Sequence, residues 1–102
     1  MTRDDPLLAA LADANRRKEQ ATRQIRLLLA YAREHVQPRP YRLADLADAA
    51  GMSISGARTA YTQADIEQAA RLTGGARSRH LAAVIVSLLV NGPPAREHHP
   101  AA

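Results

Sequence analysis

The chain has 102 residues and a formal net charge of +4, with 13 of its 14 basic residues arginine, and it contains no cysteine, phenylalanine or tryptophan. That length is one domain's worth, the missing thiols exclude a disulfide framework and thiolate chemistry, and the excess charge suits an anionic partner, either nucleic acid or an acidic membrane surface. With 22 alanines and 12 leucines as its main apolar stock, the core is thin for its length, so a homodimer is expected to complete it.

The opening "MTRDDPLLAALADANRRKEQ" sets acidic residues before its apolar run and charges soon after, unlike a secretory leader. Residues 4–36 are expected to form one long helix, with Asp4 or Asp5 as cap and Pro6 in the first turn. A heptad stripe runs through it at Leu7, Leu11, Ala14, Lys18, Ala21, Ile25, Leu28 and Ala32, weakened by the polar middle "NRRKEQATRQ". So long a helix has little core of its own to cover, which points to a contact between subunits. The alternative is a helix anchored on its own domain by Ile25, Leu28, Leu29 and Ala32. Residues 1–36 are therefore set apart as a dimerisation helix.

"VQPRPYR" follows as an extended linker, held so by Pro38 and Pro40. Helices are expected over 43–50, 54–62 and 64–73, the last with Thr62 and Asp65 at capping-box spacing, though 54–73 also fits one helix. "TGGARS" makes a loop, and Ser78 can cap a final helix over 79–91 that ends at Asn91-Gly92. Its Val and Ile content also fits a strand over 83–90, but nothing nearby offers a partner strand. The run "LAAVIVSLLV" within it is too short to span a bilayer, so a cytoplasmic protein with no membrane contact is expected. Residues 92–102 read as a disordered tail after a compact unit at 37–91. The fold class is all-α.

Leu43, Leu46, Ala47 and Ala50 share one helix face; Gly51 follows where the chain must turn sharply; Met52 fills the corner and Ser53 can cap the next helix. Ala47 and Ala57 are small, as two steeply crossing helices require. Residues 43–62 thus resemble the helix-turn-helix of bacterial transcription regulators. Arg42 departs from the pattern, standing where a capping Ser or Thr is common. Ala57 and Ala60 stand where larger aliphatics are common. The resemblance implies that the second helix enters the major groove, with Ser53, Ile54, Ser55, Arg58, Thr59 and Thr62 toward base edges. Arg58 suits the bidentate edge of guanine, Ser55 and Thr59 can donate or accept, and Ile54 can meet a thymine methyl. Phosphate contacts fall to Arg39, Arg42, Arg71, Arg77 and Arg79. Asp45 and Asp48 lie on the outer face of the first helix, which is expected either to turn away from the phosphates or to meet another protein. No strand pair follows, so no wing is expected.

His35, His80, His98 and His99 lack metal-ligand spacing, "GGAR" at 74–77 is no phosphate loop, and no nucleophile with base and orienter appears. The expected protein is not an enzyme and carries no cofactor or metal. It is a dimeric DNA-binding regulator, a repressor, on an inverted-repeat site of double-stranded DNA. A plasmid-partition or mobile-element DNA-binding protein fits the same residues, and so does a helical adaptor that binds protein. The dimer contact is expected from Leu7, Leu11, Ile25 and Leu28 of the first helix with Ile85, Leu88 and Leu89 of the last.

Overall fold

The computed structural model describes residues 5–75 and 82–92, which form five helices and no strand: α1 (Pro6–Glu34), α2 (Leu43–Ala50), α3 (Ile54–Thr59), α4 (Gln63–Thr73) and α5 (Ala82–Asn91). The all-α class is as expected. Asp4, Arg77, Ser78, Arg79, Leu81 and the tail from 93 onward lie outside the described residues. Among the described residues no helix is long and apolar enough to cross a membrane.

Asp5 caps α1 by accepting from the Leu7 and Leu8 amides at 2.8 and 3.2 Å, and Pro6 takes the first turn, where no amide donor is missed. The helix stops two residues short of the expected end, where the His35 amide closes on the Tyr31 carbonyl at 3.0 Å and Val36 turns into the core. At 29 residues it is about 43 Å long. From Pro6 to Arg23 every residue but half-buried Asp13 is exposed, so α1 projects well beyond the body. The radius of gyration is accordingly 16.6 Å, against about 13 Å for a compact chain of this size.

The core forms where α4 and α5 pack on the second half of α1. Leu27, Tyr31 and Val36 meet Ala69, Ile85 and Leu89, with Leu28, Tyr41 and Leu72 closing its edges. The β-branched run of α5 is helical, not a strand, because α1 and α4 offer it a helix-shaped seat rather than a strand edge. Polar ties reinforce this seat. The Arg26 guanidinium lies 3.5 Å from the Asp65 carboxylate, and His35 Nε2 lies 2.8 Å from the Ile66 carbonyl oxygen.

The expected dimer residues separate into two groups. Ile85 and Leu89 are 3% and 2% exposed and belong to this chain's own core, so they are not free for a partner. Their burial leaves Val84 and Val86 outermost on α5. Leu28, Leu88 and Ile25 are half-buried, whereas Leu7 and Leu11 stand 76% and 64% exposed.

Candidate nucleic-acid interface

Gly51 closes α2 in the left-handed region at φ 70°, ψ 33°. The Met52 amide donates to the Ala47 carbonyl at 2.9 Å, and the Gly51 amide to that of Asp48 at 3.2 Å, a Schellman closure. Ser53 then caps α3 by accepting from the Gly56 amide at 2.9 Å. Ala47 and Ala57 are both buried, as expected of small residues where α2 and α3 pack together. No side chain caps the start of α2, where Arg42 stands. The turn, its glycine and its serine cap lie where the sequence reading put them.

α3 is shorter than expected. It ends at Thr59, not at residue 62, because the next helix begins almost at once. The Thr62 hydroxyl accepts from the Asp65 amide at 3.3 Å, and the Asp65 carboxylate accepts from the Thr62 amide at 2.9 Å: a full capping box. Residues 54–73 are thus two helices. Thr62 also donates its hydroxyl proton to that carboxylate at 3.2 Å, so it is a cap with an acidic neighbour and not part of a base-reading face.

The remaining face is exposed at Ser53, Ile54, Ser55, Arg58 and Thr59. Their hydrogen-bonding capacity differs. Ser53 accepts one hydrogen bond at the cap and keeps its donor and a second lone pair, while Thr59 donates to the Ser55 carbonyl at 3.1 Å and keeps its acceptor lone pairs. Arg58 makes no hydrogen bond or ion pair among the described residues and carries five donors outward.

Of the expected phosphate ligands, Arg39, Arg42 and Arg71 are exposed, and Arg77 and Arg79 fall outside the described residues. Arg39 and Arg42 line one shallow depression with Pro40, Tyr41 and Asp45. Arg42 approaches Asp45 only to 3.9 Å, with both side chains largely in solvent, so the pair is weak and easily exchanged for another anion. Arg71 donates to Gln68 Oε1 at 2.6 Å. Among the described residues no three His, Asp or Glu side chains gather as a metal site.

Two features escape sequence reasoning. A Cβ on Gly56 would come 3.0 Å from the Ser53 hydroxyl oxygen, so glycine inside α3 leaves room for the cap. No local spacing marks the second. The Tyr61 hydroxyl donates to Glu34 Oε2 at 2.7 Å, and Arg33 Nη1 donates to the Tyr41 carbonyl at 2.7 Å, so the end of α1 holds both flanks of the α2–α3 unit. Burial, and then the Glu34 carboxylate, push the Tyr61 phenol up to about 12.

No family model matches the chain, and no curated protein or solved structure matches it.

Proposed function

We propose that the chain binds double-stranded DNA, reading the major groove with α3, and serves as a cytoplasmic transcriptional regulator that acts by binding rather than catalysis. The observation that carries this reading is Arg58, without a partner among the described residues, on the exposed polar face of a short helix whose opposite side is anchored by buried Ala57. Such a face is slim enough for a groove, and a guanidinium with free donors suits guanine O6 and N7. Ser53, Ser55 and Thr59 supply further donors and acceptors, and Ile54 an apolar contact. Arg39, Arg42 and Arg71 supply phosphate contacts around it.

A site selected from random DNA provides the test, by gel shift over a salt series. Binding is expected to weaken steeply as salt rises. Arg58→Ala is expected to cost about 1 to 3 kcal/mol on the selected site and little on random DNA. Arg71→Ala is expected to weaken both alike and to flatten the salt slope by about 1. Absence of any salt-dependent shift would favour a protein-binding adaptor, and equal effects of the two substitutions would remove Arg58 from base reading.

A further inference from the structure

Eighteen residues of α1, from Pro6 to Arg23, extend past the body, and among the described residues nothing covers them. A solvated helical stretch of that length is marginal in water on its own. Its tip carries Leu7, Leu8 and Leu11, exposed at 76, 43 and 64%. At the other end of the same stripe, Ile25, Leu28 and Leu29 join Leu46, Ala49 and Ala50 of α2 around an open apolar groove of about 190 Å³. One chain therefore offers both an apolar projection and an apolar recess, on one helix face and at opposite ends.

We propose that two copies pair through antiparallel α1 helices, the leucine tip of each seated in the partner's groove. The geometry meets the twofold condition. With the axis near residues 18 and 19, Leu11 faces the partner's Ile25 and Leu28, and Leu7 and Leu8 face the partner's Leu28 and Leu29. The polar middle of the stripe, Ala14 to Ala21, lies at the axis, where only small or long flexible side chains meet. Seating the three leucines removes about 300 Å² from each tip, about 600 Å² over the two tips, to which the groove walls add less, an area at the low end that suits a weak pair. A parallel pairing would leave each groove empty and set tip against tip. The dimer stands independently of DNA binding.

The chain has no native cysteine, so introduced thiols report the arrangement directly. Light scattering at micromolar concentration is expected to give a dimer for the wild type. Leu11→Glu is expected to give a monomer with its melting temperature as a monomer unchanged, because Leu11 is exposed within one chain. A short bismaleimide linker, spanning about one helix diameter, is then added to Leu11→Cys protein, to Ile25→Cys protein and to their mixture. Cross-linked dimer is expected from the mixture and not from Leu11→Cys alone, since antiparallel pairing holds the two copies of position 11 about 22 Å apart. Ala14→Cys mixed with Ala21→Cys repeats the test at positions exposed in the single chain. A monomeric wild type overturns the proposal, and so does cross-linking of Leu11→Cys by itself.

Discussion

Tyr61 sits in the short link between α3 and α4, half-buried, with its proton held by the Glu34 carboxylate at the end of α1. Its phenol is raised to about 12, by burial first and then by Glu34. An unfolded phenol ionises near 10, so the unfolded chain gives up this proton first. The contribution of Tyr61 is therefore full below pH 10 and is lost as pH climbs from there to about 12. Tyr61→Phe keeps the burial but has no proton to lose. Urea midpoints taken from pH 9 upward are expected to fall more steeply for the wild type than for the variant. Tyr31 is also raised, chiefly by burial, but it is present in both proteins and cancels from the difference. Parallel curves would mean that the Tyr61–Glu34 contact does not persist in solution.

The α2–α3 element was the most legible part of the chain, because its signals are local. An apolar face, a glycine at φ 70°, a serine cap and two alanines lie within the fifteen residues from Leu43 to Ala57, and each acts on its immediate neighbours. The left-handed turn carries a direct test. A Cβ on Gly51 would meet nothing within 4 Å, so any cost of substitution is backbone strain and not a clash. Gly51→Ala is expected to cost about 1 to 2 kcal/mol and Gly51→Val more, while Gly51→Asn costs less because asparagine tolerates this region. One kcal/mol corresponds to roughly 4 to 8 °C in melting temperature at this size. Equal melting of the valine and asparagine variants would place the strain elsewhere. What sequence reasoning missed had non-local causes. The amphipathic pattern continues through Tyr61 and so predicts a later end for α3, while the chain there is claimed by a capping box on one side and by Glu34, 27 residues away, on the other. The apolar character of α5 on most sides leaves open which of its residues meet a partner, and only the positions of α1 and α4 decide that Ile85 and Leu89 turn inward.

At the scale of the whole molecule the two halves of α1 have different solvents. The second half is core, and the first is an arm whose apolar residues are exposed, with no cover among the described residues. The same division separates the faces of α5. Ile85 is 3% exposed and Val84 56%. Ile85→Glu buries a charge without a partner and is expected to cost about 3 kcal/mol or more, enough to unfold much of the population. Val84→Glu is expected to change stability by less than about 0.5 kcal/mol and to leave the dimer intact. Chemical denaturation followed by light scattering separates the two effects. A monomeric but folded Val84→Glu protein would move the subunit contact from α1 to α5. If α1 pairs as proposed, the two bodies, centred near residues 29 and 30 where burial is greatest, lie about 33 Å apart along the helix axis. That is close to one turn of DNA.

The brevity of α3 limits what such a molecule could recognise. Six residues make a rod of about 9 Å, which lies against roughly three base pairs. Two copies would then specify about six base pairs, a word that recurs by chance every 4,000 or so. A genome of a few million base pairs holds on the order of a thousand such words. Discrimination among them would fall to the distance and phase between the two half-words, and to how readily the DNA between them deforms. The distance and phase would be set by the length and stiffness of α1. The helix that touches no base would do most of the addressing.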